Sequence, residues 1–291
     1  MVLTGSSIGG LFPHNRTFGE GVAERGNRAG GATIVVSVDG TGDAEAIQEA
    51  VNMLPSGGGV IYIKEGTYNV STQIDIQKSN VTIVGAGKST VINVTGSNYA
   101  FDIDDVEGVT IEKLYFTGSS GAGIYCSGTS FCFFYNCWFD TLAGSGIVFA
   151  IQATNNIIRG CVFDTTGAGQ IQIVGSNNII EGNIFINGTA QGIELIGTSE
   201  CIVANNQVRG NSTVGIDLTS VGARNVIVGN YVELNGTYGI QIATNHDRTM
   251  CCGNITLSNT TANINDLGTN THPNGASGTT NLAFDDLNII A

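Results

Sequence analysis

Glycine, isoleucine and alternating apolar residues recur along this chain at intervals of about 23 residues. Most of the repeated glycines are followed by isoleucine, then by a polar and an apolar residue, as in Gly192-Ile193-Glu194-Leu195. Alternation over so few residues predicts a short β-strand with one buried face. The glycines that mark the repeat are Gly123, Gly146, Gly169, Gly192, Gly215 and Gly239. The pattern therefore predicts a repeat protein built of short strands.

Three further columns of residues keep nearly the same period. One is cysteine and asparagine, one is mostly phenylalanine and valine, and one is asparagine before small polar residues. They are, in that order, Cys137, Cys161, Asn183, Asn206, Asn230, Asn254; Phe139, Phe163, Phe185, Val208, Val232, Thr256; and Asn187, Asn211, Asn235, Asn259. When coils stack about 4.8 Å apart, like residues lie above one another, and buried asparagines can hydrogen-bond along the stack.

These columns predict an all-β fold in which each coil holds three short strands and three turns. A leucine-rich repeat has a similar length, but its fixed leucine framework is absent. From Val60 to Leu257, about 23 residues per coil give about eight or nine coils and a rod about 40 Å long. Parallel crossover connections are right-handed. We therefore predict a right-handed parallel β-helix, which is a solenoid.

The ends of such a rod need caps, because they expose apolar core and strand edges. Residues 43–54 have an amphipathic pattern, with Asp43 as N-cap and Pro55 after the last turn, and this predicts a capping helix. We expect the tail, with its apolar segments Leu282-Ala283-Phe284 and Leu287-Asn288-Ile289-Ile290, to fold back on the rod or to pair with a partner. The predicted divisions are a glycine-rich N-terminal arm over 1–32, a cap over 33–59, the parallel β-helix over 60–260, and a C-terminal loop and tail over 261–291.

The chain is acidic, with 24 acidic residues, 11 basic residues and a net charge of -13. Phosphate backbones and anionic membranes repel such a chain, so we expect no nucleic acid as a partner. No apolar run approaches the roughly 18 residues of a membrane span, so we expect no membrane insertion. The same charge disfavours a polyuronate substrate unless calcium bridges the charges. No signal peptide is visible from Met1 to Phe12, which fits a mature form without its leader or a protein assembled inside a cell, as virion proteins are.

Cysteine usage does not indicate a disulfide framework. The chain has seven cysteines, an odd number, and it is too long to need such a framework. No Cys-x-x-Cys pair occurs. We predict that most of the cysteines are small buried thiols.

Four segments near the start of the predicted rod carry a family resemblance. They are Asp39-Gly40-Thr41-Gly42-Asp43, Ala46-Ile47-Gln48-Glu49-Ala50, Gly57-Gly58-Gly59-Val60-Ile61-Tyr62-Ile63 and Glu65-Gly66-Thr67-Tyr68. Together they resemble the pectate-lyase-like β-helix superfamily, which includes polysaccharide lyases, pectin-type hydrolases and tailspike depolymerases. The downstream Asn-x-x-x-x-Gly-Ile repeats resemble the wider group of right-handed β-helix proteins. The resemblance implies the fold, whereas the activity depends on sites placed on the coil faces.

The catalytic motifs of related enzymes are missing. The Gly-His-Gly and Arg-x-Lys motifs of polygalacturonases do not occur, and neither does the Asp-Pro-His-Glu of uronate epimerases. The Asp-Asp pairs, Asp104-Asp105 and Asp285-Asp286, lie outside the middle coils. No catalytic residue is therefore carried over from the superfamily, and the candidate sites come from the predicted outward positions alone.

One predicted outward face combines aromatic, acidic and basic side chains. Its two columns read Asp140, Asp164, Ile186, Arg209, Glu233 and Trp138, Val162, Ile184, Gln207, Tyr231. Because sugar rings stack on aromatic faces and acids accept bonds from hydroxyls, the candidate carbohydrate-binding residues here are Trp138, Tyr231, Arg209 and Glu233. Asp140 and Asp164, on adjacent coils, are a candidate catalytic pair that shares a proton. The alternative is a solvated face with ordinary surface acids.

A second outward column reads Gln172, Glu194, Asp217 and Gln241. Glu194 and Asp217 are again neighbours and form a second candidate catalytic pair, with Gln172 and Gln241 as candidate carbohydrate-binding residues. We expect Arg224 and His246, on nearby turns, to assist this pair. A polar face without a function is the alternative here too.

An acidic segment, Asp102-Ile103-Asp104-Asp105-Val106-Glu107, is a candidate metal site. Asp102 and Asp104 point to the same side of a strand, and calcium prefers such oxygen ligands. The sequence therefore predicts a calcium site at Asp102 and Asp104, and no other cofactor.

Three functions remain open. The first is a virion-type spike or fibre that recognises cell-surface polysaccharide and docks to a larger assembly through residues 1–32. We expect this spike to be a homo-oligomer, and a trimer in particular, because spikes of this fold often trimerise. The second is a polysaccharide lyase or glycoside hydrolase with an acidic pair on an outer face. The third is a purely structural filament or surface-layer subunit. An extracellular or virion-surface location is expected for the first.

Overall fold

The computed structural model describes residues 32–96, 98–271 and 289–290. Apart from Ala32, the predicted arm over 1–32 lies outside the described residues. Most of the predicted tail lies outside them too. The described part of the chain contains no helix long and apolar enough to span a membrane.

Short strands form three long parallel sheets, which we call sheets A, B and C. Sheet A consists of β1 (Ala32–Val36), β2 (Gly59–Ile63), β5 (Val81–Val84), β8 (Thr110–Glu112), β11 (Phe133–Tyr135), β14 (Ile157–Arg159), β17 (Ile179–Glu181), β20 (Ile202–Ala204), β24 (Val226–Val228) and β28 (Met250–Cys252). Sheet B consists of β3 (Gly66–Val70), β6 (Thr90–Val94), β9 (Tyr115–Thr117), β12 (Trp138–Asp140), β15 (Val162–Asp164), β18 (Ile184–Ile186), β21 (Gln207–Arg209), β25 (Tyr231–Glu233), β29 (Ile255–Leu257) and β31 (Ile289–Ile290). Sheet C consists of β4 (Ile74–Ile76), β7 (Tyr99–Asp104), β10 (Ala122–Ser127), β13 (Ile147–Phe149), β16 (Ile171–Ile173), β19 (Ile193–Ile196), β22 (Ile216–Thr219), β26 (Tyr238–Ile242) and β30 (Ala262–Asp266). A small pair, β23 (Gly222–Ala223) and β27 (His246–Asp247), lies in the turns between sheets C and A.

The chain visits the sheets in the order A, B, C and then starts the next coil. The nine strands of sheet C complete nine coils from β2 to β30, and β1 precedes them. Each strand pairs in parallel with the strand of the next coil, as β12 does with β15. The predicted right-handed parallel β-helix is therefore confirmed.

Stacked side chains of the same type fill the rod. The rings of Phe116, Phe139, Phe163 and Phe185 are fully buried, and successive centroids lie 4.8, 4.7 and 4.7 Å apart. This spacing follows the distance between neighbouring strands, so the phenylalanine column in the sequence is a column in the core. Six of the seven cysteines are buried and all seven are free thiols, as predicted.

Buried asparagines form hydrogen-bonded ladders at the corners of the coils. Between sheets A and B, the Nδ2 atoms of Asn183, Asn206 and Asn230 each donate to the Oδ1 atom of the next asparagine, at 3.1, 3.0 and 2.9 Å, and Asn254 ends the row. The ladder satisfies polar groups that burial would otherwise leave without partners. The predicted stacking of this column is confirmed.

The predicted column of Asn187, Asn211, Asn235 and Asn259 is wrong at its first member. Asn211 and Asn235 do bond to the next asparagine in the row, but Gly188 holds the equivalent place one coil earlier, where its N–H donates to Asn211 Oδ1 at 3.0 Å. Asn187 is exposed and has a φ of 56°, which asparagine tolerates in a turn. A shift of one residue in the turn caused the error.

A third ladder lies between sheets C and A, and the sequence interpretation missed it. The backbone N–H groups of Cys132 and Asn156 donate to Asn156 Oδ1 and Asn178 Oδ1, and that of Cys201 donates to Asn225 Oδ1. The spacing of these five residues resembles that of the other columns, so the period was present in the sequence.

The capping helix α1 spans Ile47–Met53, so the prediction of 43–54 was too long. Ala46 is its N-cap, whereas the Asp43 carboxylate accepts from Val35 N–H at 2.8 Å and so joins the turn to β1 instead. Ile47, Ala50 and Val51 form its buried face. At the other end, Lys78 Nζ donates to the carbonyls of Val51, Asn52 and Leu54.

The boundaries of the rod also differ from the prediction. β1, within the predicted cap, pairs with β2 as part of sheet A. β30 extends sheet C past residue 260, the predicted end of the β-helix. β31 pairs with β29, so the end of the tail folds back on its own chain.

Candidate functional site

The outer face of sheet C holds the predicted column of Gln172, Glu194, Asp217 and Gln241. The register pairs Gln172 with Glu194, Glu194 with Asp217, and Asp217 with Gln241. The flanking residues of each strand, such as Ile193 and Leu195 around Glu194, are buried. The alternation of strands therefore turns these four polar side chains outward, and the predicted neighbours are brought together.

Asp217 is unusual for a residue on an outer face, because only 4% of its surface is exposed. Burial raises the pKa of its carboxyl to about 6, a hydrogen bond from Gln191 opposes the rise, and the charge of Glu194 adds to it. The Oδ1 atom is buried and has no hydrogen-bond partner. Such an atom is costly to leave unpaired and is ready to bind a donor or to carry a proton.

Residues of the turn that precedes each strand of sheet C lie next to this column. A Cβ atom on Gly169 would lie 3.3 Å from Gln172 Cγ and 3.5 Å from Glu194 Oε2. The strand register and its flanking hydrogen bonds give Gly169 the counterparts Gln191, Val214 and Tyr238 in the following coils. Of these residues, Gln191 hydrogen-bonds to the Asp217 carboxylate, so at least one residue of this turn position contacts the acid. The sequence interpretation missed them, although they recur with the repeat.

Glu194 is held by its neighbour. Gln172 Nε2 donates to Glu194 Oε2 at 3.0 Å, so the amide of one coil orients the carboxylate of the next. Arg224 and His246, which we expected to assist this pair from nearby turns, bond to other groups. Arg224 donates to Glu200, and His246 is fully buried with Nε2 at 3.1 Å from the Thr219 carbonyl oxygen. Both residues stabilise turns.

Asp102 and Asp104 lie on sheet C near the start of the rod. Gln73 Nε2 donates to Asp75 Oδ1 at 2.9 Å and to Asp102 Oδ2 at 2.8 Å, which links the first two coils. Burial, Asp75 and Asp104 raise the pKa of the Asp102 carboxyl. No group of three or more histidine, cysteine or acidic side chains among the described residues is placed to hold a metal ion. The calcium site stays a prediction that rests on two carboxylates.

The outer face of sheet B places Asp140 beside Asp164 in the ladder, as predicted. Their hydrogen bonds go elsewhere, however. Tyr115 Oη donates to Asp140 Oδ2 at 2.6 Å, and Asn187 Nδ2 donates to Asp164 Oδ1 at 3.0 Å. Within the described hydrogen bonds the two carboxyls do not bond to each other, so proton sharing is not the arrangement seen here.

The aromatic residues of sheet B are separated along the rod. Trp138 pairs with Tyr115 of the previous coil, and Lys88 Nζ lies 5.6 and 5.9 Å from the two ring centroids. The sequence interpretation missed Tyr115, although it lies 23 residues before Trp138, and Lys88, which gives no periodic signal because it lies in a 3₁₀ turn.

Further along the same face, Tyr231, Arg209 and Glu233 form one contact group. Tyr231 Oη donates to Glu233 Oε2 at 2.9 Å, and Arg209 Nε lies 3.5 Å from Glu233 Oε1. The predicted carbohydrate-binding residues of sheet B therefore form two groups rather than one site.

Two family models match this chain. The model described as right handed beta helix region matches residues 74–232, and the model described as pectinesterase matches residues 33–114. Among curated proteins, pectinesterase/pectinesterase inhibitor 18 of Arabidopsis thaliana is 29% identical over 140 residues, which are 46% of this chain and 23% of that protein. The chain spans about a quarter of the length of the first curated relatives it matches.

Solved structures with low sequence identity share the fold. An alginate lyase from Paenibacillus sp. str. FPU-7 has a TM-score of 0.65 and 19% identity, over 86% of this chain and 99% of that chain. The ORF18 structure of Geobacillus virus E2 has a TM-score of 0.59 and 18% identity, over 78% of this chain and 56% of that chain. At such identities the likeness shows the architecture alone.

Proposed function

This chain belongs to the right-handed β-helix family, and from that premise we propose that it acts on a polysaccharide held along the outer face of sheet C. The predicted resemblance to the pectate-lyase-like superfamily is confirmed at the level of fold. The observation that carries the proposal is the buried Asp217 carboxyl, with an unpartnered oxygen, next to Glu194 on the neighbouring coil. We propose that these two residues cleave the glycan.

The pair suits glycoside hydrolysis. Because the pKa of Asp217 is about 6, this carboxyl keeps its proton for a large fraction of the time in mildly acidic solution and serves as the general acid. It donates the proton to the glycosidic oxygen as the bond from that oxygen to the anomeric carbon breaks. The Glu194 carboxylate, oriented by Gln172, attacks the anomeric carbon or activates the water that does. Water supplies the new hydroxyl.

The comparisons support a polysaccharide as the ligand class. The relatives are named as pectinesterases, and one structural neighbour is named as an alginate lyase. A rod with a regular row of polar side chains also suits an extended polymer, because neighbouring coils repeat at about 4.8 Å. Under this proposal Gln172 and Gln241, on either side of the pair, bind the sugar units next to the cleaved bond.

The proposal is tested by incubating the purified chain with a panel of polysaccharides and following both reducing ends and ultraviolet absorbance. Reducing ends without new absorbance indicate a hydrolase, and new absorbance indicates a lyase. Asp217→Asn and Glu194→Gln are each expected to lower the rate by about 10² to 10⁴-fold. The matched control Asp140→Asn on sheet B should keep the rate. Cleavage should also decline as the pH rises above about 6, since Asp217 then loses its proton.

Equal rates for the wild type, Asp217→Asn and Glu194→Gln would contradict the assignment of this pair. If those rates fall instead in Asp140→Asn or Asp164→Asn, the catalytic face is sheet B. If no polymer in the panel is cleaved but one binds, the chain is a binding rod.

A second candidate function is a virion spike or fibre, and the likeness to the viral ORF18 structure favours it. In this proposal residues 1–32 dock the rod to a larger assembly, and the rod is displayed on a virion or cell surface as a homo-oligomer. The test is co-sedimentation of the full chain and of a chain without residues 1–31 with particles from the source. Loss of sedimentation on truncation supports docking, and equal sedimentation contradicts it.

A further inference from the structure

The charges on sheet C restrict the polysaccharide that this face can hold. Four acidic side chains lie in one outward column, with Asp75 and Asp102 in neighbouring coils and Glu194 and Asp217 in neighbouring coils further along. Tyr125, Val148 and Gln172 continue the register between the two pairs. The nine strands of sheet C contain no lysine and no arginine, so no basic side chain of these strands can neutralise the acids. The column is therefore acidic at two places along the rod, and its strands supply no positive charge there.

The described arginines are engaged on other surfaces. Each one pairs with an acid, and the pairs are Arg159 with Glu181, Arg209 with Glu233, Arg224 with Glu200, and Arg248 with Asp247. Lys78 lies two residues after β4, but its ammonium group donates to the carbonyls at the end of α1. None of these five cations is available to neutralise an acidic polymer on sheet C.

The unpartnered Oδ1 atom of Asp217 is a second observation that points to a ligand on this face. This atom can accept from a sugar hydroxyl or an ammonium group, whereas the carboxylate that distinguishes a uronate cannot donate to it. The carboxylate of a bound uronate would bring a further negative charge next to Glu194 and Asp217, in a column that already carries four acidic groups.

An uncharged aromatic pair lies at the start of this column, with Tyr125 in the column and Tyr99 beside it. The rings of Tyr99 and Tyr125 stack with centroids 4.5 Å apart, on the coils that carry Asp102 and its neighbour. Aromatic faces pack against the apolar faces of sugar rings and do not require a charge on the sugar. Asp102, bonded to Gln73, lies beside this aromatic pair as an acceptor for hydroxyl or ammonium donors.

We infer that the polysaccharide bound along sheet C is uncharged or bears amino groups, and that it is not a polyuronate. This inference rests on the proposed function of sheet C. It separates this chain from relatives whose names refer to pectin or alginate, although the fold is shared. The aromatic pair and the acidic column bind the polymer, and the acids repel uronates.

The experiment measures binding of the full chain to three oligosaccharides of equal length, namely a neutral xylan fragment, a chitosan fragment and a polygalacturonate fragment. Calorimetric titrations are run at low and high salt, with calcium or with a chelator. We expect the neutral or the amino fragment to bind at least about tenfold more tightly than polygalacturonate at low salt. Salt should narrow this difference, because it screens the repulsion.

The double variant Asp75→Asn/Asp102→Asn removes two charges from the column and leaves Glu194 and Asp217 in place. It should bind polygalacturonate several-fold more tightly than the wild type does and chitosan more weakly. Glu181→Gln on sheet A changes the net charge by one unit elsewhere and should leave the ranking unaltered. A variant whose ranking matches that of the wild type would contradict the role of these charges.

The outcomes separate the two proposals. Polygalacturonate bound as tightly as the neutral fragment, with or without calcium, overturns this inference while the polysaccharide function stands. No binding to any of the three fragments, and no cleavage in the wider panel, overturns the polysaccharide function and this inference with it.

Discussion

Asp217 acquires its chemistry from burial on a face where acids are usually solvated. Its pKa of about 6 in the folded chain lies above its ordinary value of 3.8, so the folded state binds this proton more tightly than the unfolded chain does. The stabilisation from the protonated form is therefore complete below about pH 4 and is lost as the pH rises through about 6. Its full size is up to about 3 kcal/mol.

We therefore expect the free energy of unfolding of Asp217→Asn to depend less on pH than that of the wild type. The difference should develop between about pH 4 and pH 7, where the wild type loses stability as Asp217 ionises and the amide does not. Denaturant unfolding of both proteins across this range measures it. Asp164→Asn is the matched control, and parallel pH curves for the wild type and Asp217→Asn would contradict the argument.

Calcium binding at Asp102 and Asp104 is a separate prediction at the same scale. Two outward carboxylates on one strand, with Asp75 on the preceding coil, would supply oxygen ligands for a weak site. Calorimetric titration with calcium should then give heat that Asp102→Asn/Asp104→Asn removes. A wild-type titration without heat would rule the site out.

At the level of single residues, the sequence predicted the neighbours correctly but not their surroundings. The period placed Glu194 beside Asp217 and Asp140 beside Asp164, and the ladders confirm both pairs. What the period did not give is the difference between the pairs. Asp140 bonds to Tyr115, whereas Asp217 Oδ1 bonds to nothing, and that depends on turn side chains.

The asparagine ladder is the element that fixes one corner of the coils. Asn206 accepts from the backbone and side-chain N–H groups of Asn183, and donates to the Ile180 carbonyl and to Asn230 Oδ1. All of these groups are buried, so none of them gains water when the side chain is removed.

We predict that Asn206→Ala lowers the free energy of unfolding by about 3 kcal/mol, because it leaves several buried groups unpaired. Asn187→Gly, which removes an exposed asparagine in a left-handed turn, should cost less than about 1 kcal/mol. Urea unfolding of the two variants provides the comparison. Similar costs for both would mean that the buried ladder contributes little.

The secondary-structure elements were predictable where successive coils carry the same residue type at the same repeat position. They were less predictable where the residue type at that position changes. The strands of the middle coils follow from alternation, and each turn between sheets A and B from β5 onward holds a residue with positive φ, such as Asn136 or Gly182. The capping helix was drawn too long, because Asp43 has the properties of an N-cap but bonds to the backbone of β1. Tertiary contacts with a strand replaced the local signal.

At the scale of the whole molecule, the outer face of sheet A carries a row of apolar side chains. Six consecutive coils place a large apolar residue at the same outward position, namely Phe133, Ile157, Ile179, Ile202, Val226 and Met250. Ile202 and Met250 are each 36% exposed. An apolar surface of this length favours contact with another protein surface. Copies with parallel axes would present the row to each other at every coil, which supports the predicted homo-oligomer.

We expect Ile179→Lys/Ile202→Lys to shift the full chain toward the monomer, since charges would enter the buried contact. Light scattering after size-exclusion chromatography measures the mass of each species. Ile151→Lys, at an exposed turn position, is the control that should keep the wild-type mass. A monomeric wild type would contradict the oligomer, including the trimer expected of a spike.

The sequence by itself determined the repeat, the parallel β-helix, the stacked columns and the pairs of acids on the outer faces. It did so because the coils stack in register. Residues that are one period apart in the sequence therefore lie next to each other in the structure. Only the tertiary structure decided which acid is buried, which asparagine lies outside its column, and where β30 and β31 extend the sheets. These features depend on how turns of unequal length fold over a strand, and a period carries no information about them.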